Sequence, residues 1–242
     1  NFANILQHNY IPLAKTIEVI LKTVEEAFGS PVEIEYAVDL EPNKYNKPTF
    51  YLLQIKPLLT GINTIPIDFT KFQRKDLLLY SQQSLGNGEV SDITDLVCVS
   101  PESFNKLETV EMAAEIEEIN KQMIQENRKY VLLGPGRWGT RDRFLGVPVT
   151  WSQISKAKVI VETSLDNFPL DSSLGSHFFH NVTSMNVGYF SVHHNSATDF
   201  IAWDVIAKQK VIKKTKHCVH VRFKKSLRVL MDGKKKTSII IL

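Results

Sequence analysis

Val32-Glu33-Ile34-Glu35-Tyr36-Ala37-Val38-Asp39 is the stretch from which the fold can be worked out. Apolar residues alternate here with small or polar ones, and a period of two is that of a half-buried strand. A second apolar stretch, residues 50–56, follows a loop rich in Asn, Lys and Pro, and Pro57 ends it. Together these two stretches predict a β-hairpin with a long connection.

Helical and extended patterns lie on both sides of this hairpin. Before it, apolar residues recur at helical spacing from Leu13 to Phe28 and Gly29 ends the run, which predicts an amphipathic helix. After it, Ser100-Pro101 is a helix-start signal, and a stripe of Met and Ile predicts a helix over about 109–127. Another helix is expected near 152–157. Extended segments are predicted at 95–100, 130–133, 159–161, 187–192, 219–223, 227–231 and 239–242. The fold class is therefore α+β (α/β mixed), in two lobes.

Composition narrows the class of protein. Hydrophobic residues make up 43% and charged residues 23%, as in ordinary globular domains. No apolar run reaches the ~20 residues that a membrane helix needs, so we expect no membrane partner. The two cysteines, Cys98 and Cys218, are too few for a disulfide framework, which favours a reducing compartment and predicts a cytoplasmic location.

Basic residues cluster near the carboxyl end. Residues 208–236 contain twelve Lys or Arg and one acid, Asp232. Such a run can attract phosphate, nucleic acid or an acidic partner, but it is also typical of the solvated face of a β-rich segment. Only Trp203 and Phe223 flank or interrupt it, and this scarcity of aromatic residues argues against nucleic-acid binding.

The hairpin places polar side chains together. Residues two apart on a strand share a face, so pairing would bring four polar side chains to one surface: Glu33, Glu35, Gln54 and Lys56. The apolar residues would then face a core: Ile34, Tyr36, Leu53 and Ile55. Two carboxylates are suitable oxygen ligands for Mg²⁺ beside nucleotide phosphates. An ordinary solvent-exposed face is the alternative.

A family resemblance favours the Mg²⁺ site over an ordinary solvent-exposed face. The helix, Pro31-Val32-Glu33-Ile34-Glu35-Tyr36-Ala37-Val38 and Tyr51-Leu52-Leu53-Gln54-Ile55-Lys56-Pro57 resemble the close of the ATP-grasp domain in the phosphoenolpyruvate synthase and pyruvate phosphate dikinase family. The resemblance implies that Glu35 is a metal ligand and that Glu33, Gln54 and Lys56 lie at the metal–triphosphate site. It implies Mg²⁺ and ATP as cofactors of the complete protein. Lys56 stands where the family has arginine, and lysine lacks the planar bidentate fork.

The later sequence is similar to the family's swivelling β/β/α phosphohistidine domain. Ser84-Leu85-Gly86-Asn87-Gly88-Glu89-Val90 resembles its opening, Gly175-Ser176-His177 its histidine signature, and Leu230-Met231-Asp232-Gly233 its close. The resemblance implies that His177 carries phosphate from ATP to pyruvate or a related small acceptor, with Ser176 beside it. It divides the chain into an ATP-grasp remnant (1–59), a linker (60–76) and a phosphohistidine-like domain (77–242) with an insertion at about 101–146, and it implies that the chain is a fragment of a larger enzyme.

Imidazole chemistry fits such a carrier, because a neutral ring nitrogen is nucleophilic near pH 7. The rival acceptors are His180, His193 and His194. This chain departs from the family in having Gly175 instead of Thr before Ser176, and in having the bulky pair Phe178-Phe179 after the histidine.

A glycine-rich loop, Gly134-Pro135-Gly136-Arg137-Trp138-Gly139-Thr140-Arg141-Asp142-Arg143, follows a predicted strand. Glycines let backbone amides approach an anion, and Arg137 and Arg141 could bind phosphate. The loop lacks the Gly-Lys-Ser/Thr ending of a Walker motif. It therefore predicts either a module that binds a phosphorylated ligand without catalysis or a tight turn with solvated arginines. His217, Cys218 and His220 form a weaker candidate metal site.

Overall fold

The computed structural model describes residues 11–28, 32–45, 47–57, 67–140, 142, 144–168 and 187–242 of the chain. The chain divides into two compact units, Asn1–Leu58 and Leu59–Leu242. Both helices and strands build it, so the predicted α+β class is confirmed.

The first unit contains the predicted helix and hairpin, and both are confirmed. Helix α1 covers Leu13–Phe28, strand β1 covers Val32–Asp39, and β2 covers Thr49–Pro57. The two strands pair antiparallel. Glu33 lies opposite Lys56 and Glu35 opposite Gln54, so these four positions share one face of the hairpin.

A bulge separates this polar part of the hairpin from the rest. The register shifts between Glu35 and Tyr36, and this shift leaves Leu53 without an opposing residue. The side chain of Leu53 is 65% exposed and that of Tyr36 is 39% exposed. Their expected place in a core is therefore wrong for the part of the chain that the structure describes. Tyr36 instead stacks on Phe50, with ring centroids 5.0 Å apart.

The second unit is built mainly from strands. Its strands are β3 Leu77–Ser81, β4 Gln83–Leu85, β5 Gly88–Val99, β6 Tyr130–Pro135, β7 Arg137–Trp138, β8 Gly146–Val147, β9 Ala157–Thr163, β10 Gly188–Val192, β11 Phe200–Ile201, β12 Lys210–Lys214, β13 Cys218–Asp232 and β14 Thr237–Ile241. Within the described residues two α-helices accompany them, α2 Thr109–Gln125 and α3 Trp203–Ala207. The predicted strands at 219–223 and 227–231 are one long strand, β13.

Parallel and antiparallel strands follow one another in a single sheet. Strands β5, β6, β9 and β10 are parallel neighbours, while β13, β14, β3 and β11 continue antiparallel from β5. Strand β4 comes directly after β3, but it pairs with β10 at the far end of the order. Ser84 N–H donates to the Lys236 carbonyl over 3.0 Å, and Ser81 Oγ donates to the Ser191 carbonyl over 2.8 Å. The sheet therefore closes on itself.

The closed sheet surrounds an apolar core to which both kinds of strand contribute. Its buried members include Leu96, Val131, Val161, Phe190 and Val229. Residues that alternate with these along β6, such as Tyr130 and Leu132, point to the opposite face of the sheet. They are also fully buried.

Helix α2 covers that opposite face. The predicted stripe of Met112, Ile116, Ile119 and Met123 has no exposed area. The hydroxyl of Tyr130 on β6 donates to Asn120 Oδ1 of α2 over 3.2 Å. The layers are therefore antiparallel strands, parallel strands and helix, in that order.

Three local predictions differ from the structure. Pro101–Ser103 form a single 3₁₀ turn and α2 starts only at Thr109; the Ser100 hydroxyl donates to the Glu102 carboxylate of that turn instead of capping a backbone N–H. A 3₁₀ turn, Trp151–Ile154, stands where a longer helix was expected. Residues 67–76, at the end of the predicted linker, belong to the second unit, where Ile67 is buried with Leu77, Leu230 and Ile239.

Within the described ranges, no helix combines the length and the apolar character needed to cross a lipid bilayer.

Candidate functional site

The carboxyl ends of the parallel strands bring several polar groups to one edge of the second unit. The glycine-rich loop begins at the end of β6, Ser164 follows β9, and His193 and His194 follow β10. Ligands in sheets of parallel strands bind outside the carboxyl ends. This edge is therefore the candidate functional site of the second unit.

Glu162, the next-to-last residue of β9, is the central group of this edge. It is 2% exposed, and its Oε1 accepts hydrogen bonds from the Trp138 backbone N–H over 3.1 Å and from the Tyr189 hydroxyl. Burial raises the pKa of the Glu162 carboxyl to about 8, although the Trp138 N–H and the nearby Arg137 guanidinium act in the opposite direction. At neutral pH the carboxyl is therefore mostly protonated.

Sequence reasoning missed Glu162. The residue stands at the end of a continuous apolar run, Val159-Ile160-Val161, and the strands of a covered parallel sheet are buried on both faces. An acidic residue inside such a run is the signal that could have identified it.

The glycine-rich loop uses its backbone amides internally. Gly136 N–H donates to the Thr163 carbonyl over 2.9 Å, Arg137 N–H to Leu145 over 3.0 Å, and Gly139 N–H to Val147 over 2.9 Å. The Trp138 N–H is bonded to Glu162. The expected cradle of backbone amides is therefore wrong for residues 136–139, because protein acceptors already occupy all four.

Close packing explains the glycines of this loop. A Cβ on Gly134 would lie 2.8 Å from the Trp138 indole, and one on Gly146 would lie 1.9 Å from the Arg137 carbonyl oxygen. Gly136 has a φ of 74°, a left-handed value that glycine tolerates. Of the predicted phosphate-binding arginines, Arg137 is half-buried beside Glu162, and Arg141 lies outside the described residues.

His194 is held at both ring nitrogens. Nδ1 lies 2.8 Å from Ser164 Oγ, and Nε2 lies 2.7 Å from Asp166 Oδ1. The backbone N–H of His194 also donates to Ser164 Oγ over 2.9 Å. His193 has its Nε2 3.3 Å from Gln83 Oε1. His194 therefore has polar partners at both ring nitrogens, and His193 has one at Nε2.

The other predicted site residues fall into two groups. Glu33, Glu35 and Gln54 are exposed on the hairpin, and position 56 lies opposite Glu33. Ser176, His177 and His180 lie outside the described residues, in the connection between β9 and β10.

The proposed ligand set of His217, Cys218 and His220 does not form. His220 Nε2 lies 2.8 Å from Asp95 Oδ1, whereas His217 Nε2 lies 3.0 Å from Glu108 Oε2. Cys218 is a buried free thiol whose pKa is raised, first of all by burial. Cys218 and His220 share a face of β13, but His220 is engaged with Asp95, and His217 lies before the strand beside Glu108.

The basic run of residues 208–236 is partly neutralised by acids. Lys213 pairs with Glu118 at 3.4 Å, and Arg228 pairs with Glu89 at 2.6 Å. Lys216 and Arg222 also have acidic partners. These pairs favour the predicted solvated face of a β-rich segment over a contiguous cationic surface for nucleic acid.

Comparisons with known proteins add no relative. Neither protein-family models nor curated proteins nor solved structures give a match to the chain. The functional argument therefore depends on the residues, their geometry and the resemblance of the sequence motifs.

Proposed function

We propose that the chain is part of a cytoplasmic ATP-dependent phosphotransferase similar to phosphoenolpyruvate synthase. In this proposal the first unit is the end of an ATP-grasp domain, where Glu35 binds Mg²⁺ and Glu33, Gln54 and Lys56 contact the triphosphate. The second unit is a swivelling domain, where His177 accepts phosphate from ATP and passes it to pyruvate or a related small acceptor.

The layer order of the second unit is the observation that supports this proposal most. Antiparallel strands, a parallel sheet of β5, β6, β9 and β10, and helix α2 follow one another as three layers. A β/β/α order is what the motif resemblance implies for a phosphohistidine domain. The Gly175-Ser176-His177 motif falls between two adjacent parallel strands, β9 and β10, whose crossover starts at the candidate edge.

The state of the rival histidines also supports His177. A phosphoacceptor needs a ring nitrogen with an available lone pair that the donor can reach. His217 and His220 are 2% and 0% exposed, and His194 is bonded at both nitrogens. His193, which is half-buried, has Gln83 Oε1 3.3 Å from its Nε2.

The hairpin geometry supports the nucleotide part of the proposal. Its register places the two glutamates, Gln54 and Lys56 on one face, as the metal–triphosphate arrangement requires. Glu33, Glu35 and Gln54 are exposed, and carboxylates are hard oxygen ligands of the kind that Mg²⁺ binds.

The decisive experiment is phosphate labelling of the full-length protein that contains this chain. ATP labelled at the γ or at the β position is supplied separately, and wild type is compared with His177→Ala and with His193→Ala as matched control. We expect acid-labile, alkali-stable label from the β position in wild type and in His193→Ala, and none in His177→Ala. Absence of label, or equal label in both variants, would overturn the carrier role of His177.

A further inference from the structure

Two glutamates at the start of helix α2, Glu108 and Glu111, lie close to His217, the residue that precedes strand β13. Glu108 stands at the N-cap position of α2 without a side-chain cap bond, Glu111 lies in the first turn, and residues three apart share one helix face. One ligand atom from each of Glu108, Glu111 and His217 lies within 4.8 Å of the other two. Carboxylate and imidazole groups in such proximity are the donor set of many transition-metal sites.

His217 separates this cluster from an ordinary group of surface acids. Its side chain is 2% exposed, and among the described residues neither Nδ1 nor Nε2 has a hydrogen-bond partner. Glu108 Oε2 lies 3.0 Å from Nε2, but not in a direction that makes a hydrogen bond. An imidazole buried without partners is costly unless its lone pair is used.

The separations between the three groups fit shared coordination. Nε2 of His217 lies 3.0 Å from Glu108 Oε2 and 3.6 Å from Glu111 Oε2. Two ligands at about 2.1 Å from one metal ion, subtending about 90° to 120°, are about 3.0 to 3.6 Å apart. The observed distances therefore match those of ligand atoms around one ion.

A neighbouring carboxylate fixes the backbone of His217. Glu115 Oε2 accepts hydrogen bonds from the N–H groups of His217 and Cys218 over 3.0 and 3.2 Å, and from the Thr215 hydroxyl over 2.5 Å. These hydrogen bonds attach the backbone of His217 to helix α2, close to the first turn of that helix. Metal sites need this kind of support for their ligands.

Lys216 now supplies the positive charge of the cluster. Its Nζ lies 2.9 Å from Glu108 Oε2 and 3.0 Å from Glu111 Oε2, while its side chain is 59% exposed. A flexible, solvated ammonium can leave such a position. Because an ammonium group only donates hydrogen bonds, it cannot bond to an imidazole nitrogen that carries a proton or binds a metal ion. The lysine is therefore a competitor for the place of a cation.

We propose that Glu108, Glu111 and His217 bind a divalent transition-metal ion such as Zn²⁺, with Lys216 as a displaceable internal cation. The ion has two oxygen ligands and one nitrogen ligand from the chain, and its remaining positions face solvent on the side of the exposed Glu111. The site is independent of the phosphate relay, because none of its residues belongs to the hairpin or to the glycine-rich loop.

The test is titration of the tag-free chain with Zn²⁺ by calorimetry and with Co²⁺ by visible absorption. We expect binding to one site, loss of that binding in His217→Ala, and at least about tenfold weaker binding in Glu111→Gln. Lys216→Met should bind more tightly than wild type, because the competing ammonium is gone. His193→Ala, with a half-exposed histidine elsewhere, should bind as wild type does.

Each outcome decides the proposal. Stoichiometric binding with the four expected effects supports it. Absence of binding to wild type, binding that His217→Ala retains, or weaker binding in Lys216→Met would overturn it. Because Glu111 and Lys216 are exposed, their variants should keep the wild-type circular dichroism, so a result from them remains informative if His217→Ala fails to fold.

Discussion

The backbone N–H of Trp138 donates to Oε1 of Glu162 over 3.1 Å, and this bond ties the glycine-rich loop to strand β9. The Tyr189 hydroxyl of β10 donates to the same oxygen. One buried carboxyl therefore connects three neighbouring parts of the candidate edge. Since the Glu162 pKa is raised to about 8, the group that makes these connections is protonated at neutral pH.

Glu162 should make the stability of the second unit depend on pH. Its folded-state pKa of about 8 lies above its ordinary value of 4.5, so its contribution is full below pH 4.5 and is lost as pH rises towards 8. The slope is at most ~1.4 kcal/mol per pH unit. In Glu162→Gln this loss should disappear. The free energy of unfolding of the variant, relative to that of wild type, should therefore rise between about pH 5 and about pH 8.

Chemical denaturation at several pH values measures this difference. Glu118→Gln is the matched control, because the Glu118 side chain is 68% exposed and pairs with Lys213 at 3.4 Å. If wild type and Glu162→Gln lose stability in parallel as pH rises, the carboxyl is already ionised in the folded state.

Asp95 is a second buried carboxylate, but with the opposite electrostatics. It is 1% exposed at the side chain and hydrogen-bonded to His220, Arg222 and Arg128 at 2.7–2.8 Å. Burial acts to raise the pKa of Asp95, but these hydrogen bonds outweigh it and hold that pKa well below the ordinary 3.8. Asp95→Asn should destabilise the second unit by about 3–5 kcal/mol at neutral pH, because both guanidinium groups lose their buried carboxylate and, among the described residues, keep only Glu126 as an acidic neighbour.

The sign of the pH effect follows from the lowered pKa. The stabilisation by Asp95 is present above pH 3.8 and is lost as pH falls below it, so the difference between wild type and Asp95→Asn should shrink in acid. Denaturation midpoints at neutral and acidic pH measure this. Asp204→Asn, whose side chain is 72% exposed, should change stability by less than ~1 kcal/mol. Equal effects of the two substitutions would contradict the structure.

Gly146 should not tolerate a side chain. An added Cβ would lie 1.9 Å from the Arg137 carbonyl oxygen, at the pairing of β7 with β8. Gly146→Ala should therefore cost about 3 kcal/mol or more and should expose the amides of Trp138 and Gly139 to hydrogen exchange. In Gly233→Ala the nearest atom would be 3.0 Å away, and we expect a cost of ~1 kcal/mol. Unchanged exchange in Gly146→Ala would show that the loop packs differently.

Periodicity predicted the parts of the fold that depend on one element at a time. The alternation from Val32 to Asp39 gave the strand, and the stripe through Met112 and Ile116 gave the buried face of α2. It could not predict the closure of the sheet, because the hydrogen bond from Ser84 to Lys236 joins residues 152 positions apart. Nor could it predict the bulge at Leu53, since a one-residue shift depends on the partner strand.

The site was less predictable than the fold. A glycine-rich loop after a strand has the same sequence whether its amides bind an anion or a protein acceptor. Here the acceptors are Thr163, Leu145, Glu162 and Val147, which no local pattern connects to the loop. The cluster around His217 depends likewise on a contact between α2 and the approach to β13.

Lys56 offers the sharpest test of the proposed triphosphate face. Position 56 lies opposite Glu33, and Glu35 lies opposite Gln54 on the same face. If this face binds phosphate, the planar fork of arginine should add a bidentate contact that lysine lacks. Lys56→Arg in the full-length protein should then raise the rate of β-phosphate labelling by about three- to tenfold, the equivalent of one hydrogen bond.

Glu35→Gln should lower that rate by at least about 100-fold. Lys47→Arg, at an exposed lysine in the loop between the same strands, is the matched control and should leave the rate unchanged. A Lys56→Arg variant that behaves like Lys47→Arg, together with an active Glu35→Gln variant, would show that the hairpin face is an ordinary solvent-exposed surface.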